Sequence, residues 1–424
     1  MTEMRKRLIF ISIAAFIGLG VTSCKDKEDN NLEFAKYTVE ENKENIEAEG
    51  IKVIDQMDDM KNLSSIGTIQ DFLNLSIRMS ESSYSSAYKK VVMMLAPVAR
   101  MNNKLMELTK LRSSMVLVDN ESTMKEYLKI YGGTYTYNSI VDTFAYAKNS
   151  EEITFKFPIG QSRTNNGKIT LNNFSSQIAS NIDFEGMEQL KSLDLNVWND
   201  NSRILGIEMD ASYDDNDLPS SENISVSFEK GFSFSETFSY NENDIKWIFA
   251  FKQDKNNILS GAFDTNGNYS YDNISALKNT NIDGPEGINE ILKSANASIQ
   301  LGNLKMSGAI NFDQFTKDYY KDFSDNNEEL TKAKSDIACT ILNNNSFLVL
   351  MYADKREAIA KLTFNTVENE YYQYPYESDD TSTYFSPTPS FVFSDGSAMD
   401  GSFFSTGFND LTKAINLFIE ELSK

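Results

Sequence analysis

Residues 223–240, which read NISVSFEKGFSFSETFSY, decide the fold of this chain. Their apolar side chains occupy alternate positions, with mostly serine between them, and are Ile224, Val226, Phe228, Phe232, Phe234, Phe238 and Tyr240. An alternation with period two is typical of β-strands that bury one face and expose the other. The stretch therefore predicts neighbouring antiparallel strands with one apolar face and one wet face.

The same alternation continues on both sides of this stretch. After a polar turn, Trp247 and Phe251 mark the next strand, and Asn266-Gly267 predicts a further hairpin turn. More strands are predicted on the N-terminal side, at residues 153–159, 193–197 and 205–213. These are more strands than one flat open sheet holds, so we expect a strongly curved antiparallel sheet or two abutting sheets.

Residues 38–130 instead show apolar side chains at helical spacing. Three threonines, each followed three residues later by an acidic residue, resemble capping boxes and predict helix starts at Thr38, Thr68 and Thr123. Another helix is predicted from Ser83, with Pro97 kinking or breaking it. The chain thus begins its folded part with a helical region.

Residues 131–424 are predicted to form a β-rich domain with a closing helix. Ile337, Cys339 and Ile341 alternate and predict a strand in which Cys339 is a small buried apolar residue. Residues 370–389 are rich in Tyr, Ser, Thr, Asp and Pro and predict one long loop. The predicted fold class is α+β: an N-terminal helical region, a large curved antiparallel β-sheet (a meander), and a C-terminal covering helix at residues 408–422.

The first 23 residues have the organisation of an export signal. A basic segment (RKR, residues 5–7) precedes an apolar run at residues 8–19 and the small-residue sequence VTSC, which ends at Cys24. The apolar run is shorter than a membrane-spanning helix requires. These features predict a signal peptide over residues 1–23 and lipidation of Cys24. The alternatives are an ordinary secretory signal with an incidental cysteine and an uncleaved anchor.

The sequence VTSC resembles a lipobox, and the whole N-terminus resembles that of lipoproteins of the Bacteroides group (Bacteroidota). Residues 24–37 then comprise the lipidated Cys24 and a charged tether, whose segment KDKEDNN at residues 25–31 is similar to acidic surface-export signals of such lipoproteins. The resemblance implies an outer-membrane protein that is anchored by acyl chains on Cys24 and faces the cell exterior. A plain solvated linker and the periplasmic leaflet are the alternatives.

Composition argues against several classes of function. The formal charge is −22, and removal of residues 1–23, which carry three basic and one acidic side chain, changes it to −24. Such a balance argues against nucleic-acid binding, which needs clustered Lys and Arg. The chain has no histidine, which excludes His-dependent nucleophile pairs, zinc sites and general bases. With Cys24 lipidated, Cys339 has no cysteine partner for an intrachain disulfide, and we expect no cofactor.

Aromatic residues concentrated in the segment 370–389 are the candidate ligand contacts: Tyr371, Tyr372, Tyr374, Tyr376, Tyr384 and Phe385. Aromatic side chains with a polar tip are favoured at interfaces, and the alternative is that they pack back onto the sheet. Residues 214–217 (DDND) have the oxygen density of a surface cation site, and the alternative is a solvated loop. The aromatic row of the meander could line an apolar pocket, although such rows are usually core.

These observations predict a non-enzymatic binding or interaction module on the outer membrane, with a glycan or an outer-membrane protein as partner. A first alternative is a periplasm-facing carrier of an apolar ligand, which predicts a cavity lined by the meander aromatics. A second is a carboxylate-dependent glycan hydrolase, which predicts two acidic residues about 5–10 Å apart in a cleft.

Overall fold

The computed structural model describes residues 32–60, 62–75, 83–100, 123–181, 185–276, 291–322, 331–372 and 381–399. These residues form seven α-helices and one open sheet of 16 strands. The predicted fold class, α+β with an N-terminal helical region followed by a large sheet, is confirmed. The C-terminal helix predicted at residues 408–422 lies outside the described residues.

The helices are α1 (Val39–Met60), α2 (Ser64–Leu73), α3 (Ser83–Arg100), α4 (Met124–Tyr131), α5 (Tyr271–Ala276), α6 (Phe312–Asp322) and α7 (Lys332–Asn345). Helix α3 begins at Ser83, as the sequence predicts, and continues through Pro97 to Arg100 without a break.

Two of the three predicted capping boxes are present. The hydroxyls of Thr38 and Thr123 each accept a hydrogen bond from the backbone N–H three residues later, and the glutamate there accepts one in return. The prediction at Thr68 was wrong, because Thr68 is buried inside α2. Its supposed partner Asp71 instead accepts a hydrogen bond from the backbone N–H of Gly160, at 2.8 Å.

The strands are β1 (Gly133–Asn138), β2 (Thr143–Ala147), β3 (Ile153–Phe157), β4 (Gly167–Ile178), β5 (Glu188–Asn199), β6 (Ser202–Tyr213), β7 (Pro219–Phe228), β8 (Phe232–Tyr240), β9 (Asp244–Gln253), β10 (Asn256–Gly267), β11 (Leu292–Leu301), β12 (Leu304–Asn311), β13 (Ser346–Tyr352), β14 (Glu357–Tyr372), β15 (Thr381–Val392) and β16 (Ala398–Met399). From β3 to β16 each strand pairs with the next, which makes one continuous meander rather than two abutting sheets.

The sheet departs from the antiparallel pattern at one edge, where β1 lies between β2 and β3 and is parallel to β3. The chain passes from β2 to β3 across the start of β1, and the N–H of Gly133 donates to the carbonyl of Glu152 at 2.6 Å. A Cβ atom at Gly132 would lie 2.7 Å from the backbone of Glu151. Glycine is therefore needed for this close crossing of two backbone segments.

One face of the meander is the core of the molecule. All of the alternating apolar side chains predicted from residues 223–240 are buried. The ring of Phe72 in α2 lies 5.4 Å from that of Phe155 and 5.0 Å from that of Phe157, measured between centroids. Helices α1–α4 contribute to the same apolar cluster as β1–β10, so the helical region and the sheet share one core.

The hairpin turn predicted at Asn266-Gly267 was wrong. Both residues belong to β10, and Asn266 is paired with Asp244 of β9 and with Ser294 of β11. The N–H of Gly267 donates to the carbonyl of Asn243 at 2.8 Å. Strand partners on both sides therefore keep the dipeptide extended, although its local sequence favours a turn.

The strand predicted around Ile337, Cys339 and Ile341 was also wrong, because these residues lie in helix α7. Helices α6 and α7 are inserted between β12 and β13, and the buried positions of α7 follow helical spacing: Ser335, Ala338, Cys339, Ile341 and Asn345. Cys339 is buried, as predicted, whereas Ile337 is 41% exposed. Three residues at alternate positions were too short a pattern to separate a strand from a helix.

The loop predicted at residues 370–389 is largely a long hairpin. Strand β14 pairs with β13 over residues 357–361 and with β15 over residues 361–372, so the β14–β15 hairpin extends past β13. We call this extension, residues 362–372 and 381–391, the arm. Helix α7 supports its base, where the side chain of Asn343 hydrogen-bonds to both the N–H and the carbonyl of Phe364.

The second half of the segment predicted as a tether, residues 24–37, contains residues that are fixed to the sheet. The N–H of Ala35 donates to the carbonyl of Ala358 in β14, and the N–H of Ala358 donates to the carbonyl of Glu33, both at 2.8 Å. Leu32 and Phe34 pack against the apolar cluster formed by β12–β14. Residues 32–35, which precede helix α1, are therefore already packed against the sheet.

Candidate binding face

The face of the meander opposite helices α1–α4 is polar and accessible to solvent. Residues directly opposite each other on paired strands point to the same face, so the register groups their side chains into rows across the strands. On β7 and β8, the exposed members between the buried apolar positions are Asn223, Ser225, Ser227, Ser235 and Thr237. We call this surface, over β3 to β10, the open face.

A row of small polar residues crosses the open face. It runs through directly paired positions of β3 to β8 and consists of Thr154, Thr170, Asn196, Gly206, Ser227 and Ser233. Neighbouring strands lie about 4.8 Å apart, so the row is roughly 24 Å long. Its hydroxyl and amide groups both donate and accept hydrogen bonds, which is what the hydroxyl groups of a saccharide need from a partner. We call it the polar row.

A second row is cationic and aromatic. It lies two residues along β3–β5 from the polar row, continues onto β6, and consists of the directly paired residues Lys156, Lys168, Trp198 and Arg203. Nζ of Lys168 lies 4.3 Å from the centroid of the Trp198 ring, which is a cation–π contact. Nη1 of Arg203 donates to Oδ1 of Asn196 at 3.2 Å and lies 3.5 Å from Oε1 of Glu208. We call it the cationic row.

Two carboxylates face each other further along the same strands, with Asp194 of β5 directly opposite Glu208 of β6. Burial raises the pKa of Asp194, and the neighbouring negative charges of Glu208 and Asp210 raise it further. A glycan hydrolase needs two carboxyl groups that flank the scissile bond. Asp194 and Glu208 instead project side by side from the open face, and Glu208 is exposed, so they do not enclose a substrate.

The arm holds four of the six predicted ligand contacts. The side chains of two of these four, Tyr384 and Phe385, are described, and they do not lie on the same face. Tyr384, 37% exposed, is paired with Asn369, and Phe385 is paired with Glu368. Consecutive strand residues point to opposite faces, so Tyr384 and Phe385 cannot form one aromatic surface. Tyr371 and Tyr372 lie in β14, and the remaining predicted site residues, Tyr374, Tyr376 and Cys24, lie outside the described residues.

The residues considered for a cation site, 214–217, use their carboxylates to organise a turn. Oδ1 of Asp214 accepts hydrogen bonds from the N–H groups of Asn216 and Leu218, at 2.9 and 2.8 Å. Oδ2 of Asp217 accepts from the N–H groups of Ser180 and Asn181, at 2.6 and 2.7 Å. These hydrogen bonds hold the pKa of Asp217 below its usual range. Over the described ranges, no cluster of three His, Cys, Asp or Glu side chains is placed to hold a metal ion.

The meander aromatics pack against the core instead of lining a pocket. Phe232 and Phe251 are buried, and their rings stack with a centroid distance of 5.9 Å. A cleft of about 450 Å³ lies elsewhere, beside the bulge of β4, and is lined by residues of α4, the β2–β3 connection and β4, including Lys125, Glu151 and Asn172. These contacts remove the support for an apolar pocket along the aromatic row.

The sequence patterns did not identify the polar row or the cationic row as a candidate site. Lys156 and Lys168 occupy ordinary solvent-facing positions of their strands, and Trp198 is one of only two tryptophans in the chain. The only local signal is that these residues stand at outward positions. Their alignment depends on the register of four strands, which hydrophobic alternation predicts only to within a shift of two residues.

No protein-family model matches the chain, and no curated protein or solved structure matches it either. Within the described part of the chain, no helix combines the length and apolar character that crossing a bilayer requires.

Proposed function

We propose that this protein is an outer-membrane lipoprotein, anchored through Cys24 and facing the cell exterior, that binds a glycan on its open face without catalysing a reaction. The observation that carries the proposal is the polar row, in which five hydroxyl and amide side chains are aligned across β3, β4, β5, β7 and β8, with Gly206 of β6 between them. A rigid sheet positions these groups before the ligand arrives, which reduces the entropy cost of binding.

The attachment of the N-terminus to β14 supports a location of the open face at a distance from the membrane, in whichever leaflet the anchor lies. Cys24 precedes Glu33 by nine residues, which span at most about 30 Å when fully extended. The sheet edge near β14 is therefore close to the membrane if Cys24 is lipidated. The cationic row begins on β6, and eight strand spacings from β14 to β6 correspond to about 40 Å along the sheet.

Binding is tested by native gel electrophoresis of the purified protein in gels that contain neutral or acidic polysaccharides. We expect at least one polysaccharide to retard the protein. The double substitution Asn196→Ala and Ser227→Ala should weaken that retardation, because it removes hydrogen-bonding groups from the polar row. Thr237→Ala with Asn223→Ala is the matched control, since it removes similar groups from the open face outside the row. Equal retardation of both variants, or none for the native protein, would contradict the proposed glycan site.

The anchor is tested separately with Cys24→Ala. We expect this variant to leave the membrane fraction, because acyl chains contribute roughly 0.8 kcal/mol per buried CH₂ group. Protease treatment of intact cells, with an epitope near Lys424, then distinguishes the two leaflets. Loss of the epitope while a periplasmic control protein stays intact supports outward display, whereas an epitope that is protected in intact cells and is lost once the outer membrane is permeabilised contradicts it.

A further inference from the structure

We propose that the cationic row binds the acidic group of a saccharide, so that the glycan recognised by the open face is an anionic one. This inference rests on the proposed function and specifies the chemistry of its ligand. It depends on two adjacent lysines, on the tryptophan beside them and on the position of the polar row.

Lys156 and Lys168 are directly opposite each other on β3 and β4. Like charges at directly paired positions repel each other and destabilise a sheet. Over the described ranges, the ion pairs of the open face are Arg203 with Glu208 and Lys246 with Asp264, and neither involves these two lysines. A carboxylate or sulfate over β4, with Lys156 on one side and the ammonium group of Lys168 on the other, would accept a charge-assisted hydrogen bond from each.

Trp198 gives one of the two lysines a defined position. The ammonium group of Lys168 lies over the indole ring at 4.3 Å, on the side of β4 that faces away from Lys156. A cation–π contact restricts a side chain that otherwise has many rotamers. Less rotational freedom is then lost when an anion binds. Trp198 is therefore a positioning residue for Lys168.

The neighbouring polar row indicates a saccharide rather than a simple anion. Thr154, Thr170 and Asn196 lie two residues from Lys156, Lys168 and Trp198 on the same strands, which corresponds to about 7 Å. One sugar unit can therefore place its acidic group at the lysines while its hydroxyl groups reach the polar row.

The net charge of the protein does not prevent such binding. The chain carries −22 overall, but the Debye length is about 8 Å at physiological ionic strength. The carboxylate of Glu208 lies 3.5 Å from Nη1 of Arg203 and neutralises that cation, so the two lysines are the members of the row that an anion would engage. The carboxylate of Asp194 is on the same strand as Trp198, four residues or about 13 Å away along the backbone. An anion at the lysines is thus screened from most of the acidic surface. Three cations are too few for the long basic stripe that nucleic-acid binding uses.

The test measures binding of the full-length protein to polygalacturonate, to chondroitin sulfate, to a neutral galactan and to a single-stranded oligonucleotide. We expect the two acidic polysaccharides to bind more tightly than the galactan, and their affinity to fall as salt is added. Lys156→Ala with Lys168→Ala should weaken acidic binding about tenfold or more, because each lysine donates to a charged group. The matched control, Lys255→Ala with Lys321→Ala, removes the same charge from the β9–β10 turn and from helix α6, outside both rows, and should bind within about twofold of the native protein.

Further variants and measurements distinguish an unfolded variant, a wrong anionic-saccharide site and a wrong proposed function. Lys168→Arg keeps the charge and should retain most of the affinity, and circular dichroism of each variant checks that it is folded. Equal loss in the control pair, no loss in the row variant, or tighter binding of the oligonucleotide would overturn the anionic-saccharide site. Binding of galactan alone would overturn this inference and leave the proposed function intact. Absence of binding to every polysaccharide would overturn both.

Discussion

The meander around β7–β9 and the arm formed by β14–β15 are both antiparallel hairpin structures, yet only the meander has a fully buried face. In the meander, every apolar side chain of residues 223–240 is buried. Helices α1–α4 contribute to the cluster that holds those from Ile224 to Phe234, whereas Phe238 and Tyr240 lie in a second cluster with residues of α5 and α6. In the arm, Val367 is 39% exposed and Tyr384 is 37% exposed, and the hydrogen bonds of helix α7 reach along β14 as far as Thr366. The difference shows that alternation produces a strand, whereas burial depends on which helix covers it.

The largest effect is expected in the covered part of the sheet. Phe155→Ala should lower the free energy of unfolding by roughly 3–5 kcal/mol, because it leaves a cavity in a close-packed core. The ring of Phe155 lies 4.7 Å from that of Tyr135 and 5.1 Å from that of Phe144, measured between centroids. Urea unfolding followed by tryptophan fluorescence measures the loss. Phe385→Ala in the arm is the matched control, and an equal loss there would contradict the contrast between the two regions.

A smaller effect is expected at the turn that joins β6 and β7. Asp217→Ala should cost roughly 1–3 kcal/mol, because it leaves the N–H groups of Ser180 and Asn181 without their carboxylate acceptor. Asp215→Ala removes an exposed carboxylate from the same turn and should change stability by less than about 0.5 kcal/mol. Equal stability of the two variants in urea unfolding would refute the proposed role of Asp217.

The effect of Asp217 should also depend on pH. Hydrogen bonding lowers its pKa in the folded protein below the unfolded value, which is about 3.9. Its stabilising contribution is therefore complete above the unfolded pKa and is lost as the pH falls through the folded pKa. The difference in unfolding free energy between the native protein and Asp217→Asn should shrink between about pH 5 and pH 2.5. A difference that stays constant over this interval would mean that the carboxylate charge is not what stabilises the turn.

The smallest effect is expected in the outer half of the arm. Val367→Ser and Tyr384→Ser should each change the free energy of unfolding by no more than about 0.5 kcal/mol, because both side chains are already partly in water. A cost above about 1 kcal/mol, measured by urea unfolding, would indicate that the arm is covered in the folded protein.

Local sequence patterns predicted the elements whose signals are continuous. The alternation in residues 223–240 gave β7 and β8 together with the face that each residue occupies, and Thr123 with Glu126 gave the start of α4. Local patterns gave wrong predictions where a residue or strand far away in the sequence determines the local conformation. Asn266-Gly267 is held extended by β9 and β11, and the start of α2 is capped by Glu229, which accepts from the N–H of Ser65 at 2.9 Å.

The candidate site was less predictable than the fold. The aromatic residues chosen from composition do not form one surface. Tyr384 and Phe385 point to opposite faces, because they are consecutive residues of a strand in a segment that was predicted to be a loop. Lys156, Lys168 and Trp198 gave no local signal, since each is an unremarkable outward residue of its own strand. Only their pairing across β3, β4 and β5 makes them neighbours.

The sequence by itself determined the strands whose alternation is continuous, the polarity of their two faces and the excluded chemistries, because these follow from side-chain periodicity and composition. The export signal and the lipidated Cys24 also stay predictions from sequence. Tertiary structure alone decided which strands lie side by side in which register, which helices cover them and which polar residues form a row. The physical reason is that these features depend on contacts between segments far apart in the chain, whereas periodicity reports only on each segment's own environment.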